Sequence, residues 1–346
     1  MTGSPLKSPD PRPVPTGGRV QGALAVPSSK SVTHRCLNLV LLSRAFFPDA
    51  PTFVERPLHA EDTRLFLAAL KVAGFAVEET AEGVALTPGP LPSDGEREIF
   101  CGNAGTLLRF LVATLAVVPG RWRLDGTPRL RERPVGPLVD ALTRLGARIE
   151  YLGREGCIPL RIEGGSLRGG ITAIDAGESS QYLSALLMAG LAAPGEVVIE
   201  VGALTSQPYI DVTLAAAATF GGRIERAGER AWRVLPGLAP VSRVRVEGDW
   251  SAACYPAAAA ALTGGSVRLT GVLPDSRQGD RQFLSLLSAM GATVAWEGEA
   301  VVVSGPSLEQ GLRGIDADLS GLPDQVPTLA AIAPFAAGTT RITNVP

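Results

Sequence analysis

A chain of 346 residues exceeds one ordinary domain and can bury more than one core, so two domains are expected. It is 45% hydrophobic, yet it contains neither an apolar run long enough to cross a bilayer nor an N-terminal secretion block, which predicts a cytoplasmic protein with no membrane partner. A net charge of −2 with scattered aromatics argues against a nucleic-acid partner, while four separated cysteines and only two histidines, His34 and His59, argue against structural zinc or a disulfide framework.

Met1 to Gly18 contains several prolines and no apolar period, which predicts a flexible tail with order starting at Arg19. From there two kinds of helix recur at a spacing of roughly 70 to 76 residues, the mark of repeated supersecondary modules. The first kind follows a polar turn and ends in glycine or a polar residue: Ser31 to Ser43, Ala104 to Gly120, Ser180 to Gly195, Ser251 to Gly264 and Val326 to Gly338. The second kind is amphipathic and runs into a glycine: Leu65 to Gly74, Leu138 to Gly146, Ile210 to Gly221 and Phe283 to Gly291. Alternating stretches follow it, such as Ala147 to Tyr151 and Ala292 to Trp296, and these predict half-buried strands. The module is therefore a mixed βαβ unit, and the fifth copy is left uncompleted at the end of the chain.

The polar turns carry the candidate chemistry. Cys101-Gly102-Asn103-Ala104-Gly105-Thr106 runs straight into an apolar helix, where Asn103 can serve as a cap, Gly105 admits a ligand to the backbone and Arg109 adds a charge. An ordinary capped helix explains the same residues. Lys30, Ser31 and Arg35 combine a point charge, a hydroxyl and a planar guanidinium around another helix start. Arg129, Arg131 and Arg133 precede Pro134, either as a solvated basic loop or as guanidinium groups aimed at an anion. Asp324 is either a helix cap or a carboxylate held at the same surface, and Cys101 either a helix-start thiolate or a small buried residue. If the modules pack side by side, several helix starts converge and make a site for a multiply charged small molecule. No Gly-x-x-x-x-Gly-Lys-Ser/Thr or Gly-x-Ser-x-Gly motif occurs, so the usual signatures of nucleotide and serine hydrolysis are missing.

Read together, Lys30-Ser31-Val32-Thr33-His34-Arg35, Gly102 to Thr106 with Arg109, Glu132-Arg133-Pro134, Ser179-Ser180-Gln181-Tyr182, Ser206 to Asp211 and Pro323-Asp324 closely resemble the EPSP synthase (3-phosphoshikimate 1-carboxyvinyltransferase) family from about Arg19 onward. The resemblance implies an α/β fold of two domains built from repeated βαβαββ modules, an inside-out α/β barrel with its last modules incomplete. Residues 19–27 plus 248–346 would form one discontinuous, incomplete domain and residues 28–247 the other, with the chain crossing at the Val26 to Ser28 and Val246 to Asp249 strand pair. Helix starts would face a cleft that closes on shikimate 3-phosphate and phosphoenolpyruvate, with no metal and no organic cofactor.

Carried over by motif, Lys30, Ser31, Arg35, Ser179, Ser180, Gln181, Ser206, Tyr209 and Asp324 would hold shikimate 3-phosphate. Lys30, Gly105, Arg133 and Gln181 would meet phosphoenolpyruvate, with Asn103, Thr106 and Arg109 in support. Asp324 would be the general base and Lys30 the second catalytic residue, in a monomer that transfers the enolpyruvyl group and releases phosphate. The alternatives are a non-catalytic phosphoshikimate-binding protein and a UDP-N-acetylglucosamine enolpyruvyltransferase, although the latter family has asparagine where Ser31 follows Lys30 here. Three departures stand out. Gln207 replaces a common lysine, Phe110 follows Arg109 where some relatives have proline, and the chain ends at Asn344-Val345-Pro346, where the family continues with an Arg-x-Lys-Glu-Ser/Thr-Asp-Arg segment and a further module. The last implies a truncated or partial form that binds phosphoenolpyruvate weakly.

Overall fold

A computed structural model describes residues 17–91 and 95–345; of the tail expected over Met1 to Gly18, residues 1–16 lie outside the described residues. Strand β1 (Gln21–Ala25) leads into α1 (Lys30–Ser43), β2 (Thr52–Glu55), α2 (Glu61–Val72) and the hairpin β3 (Phe75–Glu79) and β4 (Gly83–Pro88). The same order recurs in β5 (Glu96–Phe100), α3 (Gly105–Val117), β6 (Gly120–Asp125), α4 (Gly136–Arg144), β7 (Arg148–Tyr151) and β8 (Leu160–Gly164). It recurs in β9 (Gly170–Ala176), α5 (Ser180–Gly190), β10 (Val197–Leu204), α6 (Gln207–Thr219), β11 (Arg223–Gly228) and β12 (Ala231–Leu235). A fourth pass gives β13 (Arg243–Arg245), α7 (Trp250–Thr263), β14 (Ser266–Thr270), α8 (Phe283–Ala289), β15 (Thr293–Glu297) and β16 (Ala300–Ser304). Then come β17 (Leu312–Arg313), β18 (Asp316–Asp318), α9 (Val326–Ile332), β19 (Ala336–Ala337) and β20 (Arg341–Thr343).

The βαβαββ order is therefore present four times, but two modules exchange their first strands. β5-β6-β8-β7 and β9-β10-β12-β11 are each built from one module, whereas β1 heads the sheet β1-β14-β16-β15 and β13 heads the sheet β13-β2-β4-β3. In all four sheets the first pair is parallel and the remaining pairs antiparallel. These four-stranded sheets stay separate, and no closed barrel forms among the described residues. The chain crosses between the two groups at an antiparallel bridge between Ser28 and Gly248, flanked by Ser29 N–H to Glu247 O at 2.8 Å and Asp249 N–H to Pro27 O at 2.8 Å.

Buried apolar residues form two clusters. One runs from Cys36 to Val246, and the other combines Val26 with residues from Trp250 to Ile332. α3 lies at the centre of the first: apart from Thr106, every residue from Gly105 to Ala116 is buried, the pattern of a helix covered on all sides. Packing on all faces fixes where its N-terminus points.

Several local expectations change. Asn103 does not cap α3; Ala104 occupies the cap position without a side-chain bond, and Asn103 is exposed. The true side-chain caps are Ser29 on α1, Ser179 on α5 and Asp249 on α7. The helix expected to run from Val326 to Gly338 stops at Ile332, and a 3₁₀ turn over Ala333–Phe335 follows, because Pro334 has no N–H and restricts the residue before it. Cys101 is fully buried, and burial pushes its thiol up to about 12, so it is a core residue. Among the described residues no helix is long and apolar enough to cross a membrane.

His34 contributes a testable pH dependence. It is wholly buried, both ring nitrogens lack partners among the described residues, and its ring meets Phe66 edge-on at 5.4 Å. Burial, reinforced by the charges of Lys30 and Arg35, pushes it down to about 3, so it stays neutral when folded while the unfolded chain protonates near 6.5. The stability is thus present above pH 6.5 and is lost as the pH falls toward 3. Urea unfolding at pH 6.5 and pH 5 is expected to differ by about 2 kcal/mol more in the wild type than in His34→Leu; equal pH slopes in the two proteins would rule this out.

Candidate functional site

Helices from both groups of sheets open onto one cleft. Its lining brings together Lys30, Ser31 and Arg35 from α1, Thr106 from α3, Ser179, Ser180 and Gln181 at the start of α5, Ser206 and Tyr209 at the start of α6, and Asp324 from the turn before α9. The cleft encloses about 790 Å³ of non-protein space, open solvent included, and its walls are predominantly polar. Glu178, Thr205 and Pro323 complete the lining; sequence reasoning left them unassigned.

Arg35 forms the floor. Although it is only 2% exposed, it reaches the cleft, and four of its five N–H donors are engaged: Nε with Thr213 Oγ1 at 2.8 Å, Nη1 with Ser31 O at 2.9 Å, and Nη2 with Ser184 Oγ at 3.3 Å and Tyr209 O at 3.0 Å. Its guanidinium stands over the Phe110 ring at 5.4 Å. No carboxylate pairs with it among the described residues. Burial brings it down to about 10, which still leaves it charged at neutral pH. A buried cation with no protein counter-ion supplies an uncompensated positive potential to the cleft.

Arg109 acts differently. Its Nη1 donates to Ser179 Oγ at 3.3 Å and to Gln181 Oε1 at 2.9 Å, and its guanidinium covers the Tyr182 ring at 5.0 Å. Gln181 Nε2 in turn donates to Thr106 Oγ1 at 3.1 Å, so Arg109 ties the start of α5 to the start of α3. Its role is to orient the polar groups of the wall.

Gly105 and Arg133 are not among the lining residues, but they stand against each other beside it. A Cβ built on Gly105 would come within 2.6 Å of Arg133 Nη1. Of the three loop arginines only Arg133 is placed this way: Arg129 is exposed, and Arg131 makes a two-bond pair with Asp125, Nε to Oδ1 at 2.8 Å and Nη2 to Oδ2 at 2.7 Å. Asn103 contributes no lining atom. Lys30 sits at the rim with its side chain half exposed and Nζ 3.9 Å from Asp62 Oδ2, while its backbone N–H donates to Asp249 Oδ2 at 3.2 Å.

Across the cleft, the Tyr209 hydroxyl donates to Asp324 Oδ2 at 2.5 Å. Burial and the neighbouring Asp324 carboxylate push the Tyr209 phenol well above its ordinary range, so it is a proton donor throughout. Asp324 is therefore no helix cap; it lies inside a 3₁₀ turn, Pro323–Gln325, and is exposed to the cleft. Ser206 heads α6 in a left-handed conformation, φ 55° and ψ 59°, a strained state for a non-glycine residue and one that tends to occur at ligand-facing turns. Gln207 is peripheral: its Nε2 donates to Asp211 Oδ1 at 3.1 Å within α6.

Comparison with known proteins gives one consistent picture. Residues 14–346 match the model of EPSP synthase (3-phosphoshikimate 1-carboxyvinyltransferase). Curated proteins of that name are similar, among them one from Bordetella bronchiseptica, 42% identical over 343 residues covering 96% of this chain and 76% of its own length. Another, from Shewanella amazonensis, is 41% identical over 94% of this chain and 76% of its own length. The solved structure of EPSP synthase from Acinetobacter baumannii superposes with a TM-score of 0.77 at 27% identity over 94% of this chain and 74% of that one. The enolpyruvyl transferase NikO from Streptomyces tendae, 19% identical with a TM-score of 0.71, shares the fold. These matches run through nearly all of this chain and span about three quarters of each relative's own length.

Proposed function

Because the chain belongs to the EPSP synthase family, the 3-phosphoshikimate 1-carboxyvinyltransferases, we propose that it transfers the enolpyruvyl group of phosphoenolpyruvate to the 5-hydroxyl of shikimate 3-phosphate. The observation that carries this reading is the cleft itself, in which helix starts, a buried arginine with no carboxylate partner among the described residues and an exposed carboxylate face one another. The acceptor's phosphate and carboxylate meet Ser179, Ser180, Ser206 and Arg35, with Lys30 between the two substrates. Phosphoenolpyruvate lies toward Gly105, Arg133 and Gln181.

In the first step Asp324 takes the proton of the 5-hydroxyl as its oxygen bonds to C2 of phosphoenolpyruvate and C3 gains a proton. In the second, C3 gives a proton back and the C2–O bond to phosphate breaks, restoring the double bond and releasing inorganic phosphate. Lys30 and Arg133 balance the negative charge of the leaving group. We assign residues 19–27 with 248–346 to one domain and 28–247 to the other, with closure about the Ser28 and Gly248 crossing, and we place the enzyme in the cytoplasm as a monomer. The two buried clusters support this division.

The test is phosphate release by the purified chain. Release that requires both substrates is the expected result; calorimetric binding of shikimate 3-phosphate without any release would instead support a non-catalytic binding protein. The geometry at Gly105 adds a second expectation. Gly105→Ala drives Arg133 Nη1 away from its contact, and it should raise the KM for phosphoenolpyruvate roughly tenfold or more while leaving that for shikimate 3-phosphate nearly unchanged. An unaltered phosphoenolpyruvate KM would remove Arg133 from the site.

A further inference from the structure

The hydrogen bond between Tyr209 and Asp324 joins two elements that cannot set their own positions. Asp324 lies in a three-residue 3₁₀ turn, too short to be stable by itself, and Tyr209 lies in the first turn of a helix that begins at a strained residue. One loop touches the neighbours of both. We propose that Gln278–Asp280 is a positioning element for this pair, in which Asp280, acting through Gln325, holds the turn carrying Asp324, while Gly279 sets the start of α6 and so the placement of Tyr209.

Gln325 follows Asp324 and is wholly buried. Its Nε2 donates to Asp280 Oδ2 at 2.9 Å, and the same oxygen accepts a hydrogen bond from Ser251 Oγ at the start of α7. Asp280 is itself buried, and desolvation raises its carboxyl above the usual range. Gln325 Oε1 has no hydrogen-bond partner among the described residues. A buried amide with one unpaired oxygen is a poor choice for holding a turn by packing alone, since an apolar side chain of similar volume would do so without the unmet acceptor. What the amide provides is a directional bond to Asp280.

Gly279 makes the other connection. A Cβ there would lie 2.7 Å from Pro208 Cβ and 2.9 Å from Gly321 O, so its backbone packs directly against the residue before Tyr209 and against the approach to Pro323. Gln278 fastens the loop to the chain crossing: its Oε1 accepts from Trp250 N at 3.2 Å, and its Nε2 donates to Gly248 O at 2.8 Å. The loop thus links the crossing, the Asp324 turn and the start of α6 in one hydrogen-bonded and close-packed unit.

This inference deepens the transferase reading and, for its kinetic part, rests on it. The test is therefore run first without substrate. With ¹³Cζ-labelled tyrosine the protein gives signals from Tyr151, Tyr182, Tyr209 and Tyr255; Tyr209→Phe identifies the one from Tyr209, and Asp324→Ala marks its position with the bond broken. Asp280→Ala and Gln325→Leu are expected to move the Tyr209 signal toward that position, and Asp280→Asn, which keeps an acceptor oxygen, to leave it near the wild type. Unchanged signals from the other three tyrosines show that each variant is folded. A Tyr209 signal that stays in place in folded Gln325→Leu, or that moves as far in Asp280→Asn as in Asp280→Ala, overturns the proposal. In the phosphate-release assay Gln325→Leu should lower kcat about tenfold with the KM for shikimate 3-phosphate changed less than about twofold. A wild-type chain without turnover defeats the transferase reading alone, because the tyrosine signals still decide the positioning role.

Discussion

Asp324→Asn is expected to lower turnover by about 10²- to 10⁴-fold, the usual contribution of a positioned general base. An amide occupies the same volume and still offers an oxygen to the Tyr209 hydroxyl, which now donates to Asp324 Oδ2 at 2.5 Å. The cross-cleft bond therefore survives, and only proton acceptance is removed. Affinity for shikimate 3-phosphate, measured by calorimetry, should change by less than about 1.4 kcal/mol, or tenfold. A variant that released phosphate at the wild-type rate would show that another group takes the proton.

Arg35→Leu should have the next largest effect, and on binding more than on folding. Each charge-assisted hydrogen bond to a ligand anion is worth about 1.5–3 kcal/mol, so the loss of this cation should weaken shikimate 3-phosphate binding by roughly 10- to 150-fold. The protein groups it leaves behind are partly provided for. Thr213 Oγ1 lies 2.9 Å from both Ser184 Oγ and Tyr209 O and can give its one proton to either, so the pocket floor keeps a bond of its own. Removing a buried charge that no carboxylate neutralises also relieves its desolvation. Stability in urea should consequently shift by less than about 2 kcal/mol. A variant that unfolds readily yet binds shikimate 3-phosphate with full affinity would reverse the assignment and make Arg35 a structural residue.

The local units of this fold were legible in the sequence because their signals are local. Periodicity marks the two kinds of helix: α2, α4, α6 and α8 each end close to the glycine that was expected to stop them, and β7 and β15 fall on the alternating stretches. Polar residues before apolar runs marked the helix starts, and most of the cleft lining lies within a turn of one. Capping was less legible, since Ser29 and Asp249 compete with equally plausible neighbours, and Asn103 is turned to solvent beside Gly102 at φ 56°. The arginine run was ambiguous for the same reason. Nothing in its spacing reveals that Asp125, at the end of β6, captures Arg131 and leaves Arg133 beside Gly105.

By itself, then, the sequence determined the repeated mixed βαβ units, their helix starts and, through its motifs, the family, whose resemblance implied the full βαβαββ module, since each of these is written in residues near one another in the chain. Tertiary structure alone decided the strand pairing by which β1 and β13 join sheets of distant modules, the placing of Arg35 without a counter-ion among the described residues, and the loop at Gln278–Asp280 that reaches both Tyr209 and Asp324. These are contacts between residues dozens to hundreds of positions apart. They depend on which apolar faces pack together and on where each buried polar group finds a partner, and no local pattern encodes either.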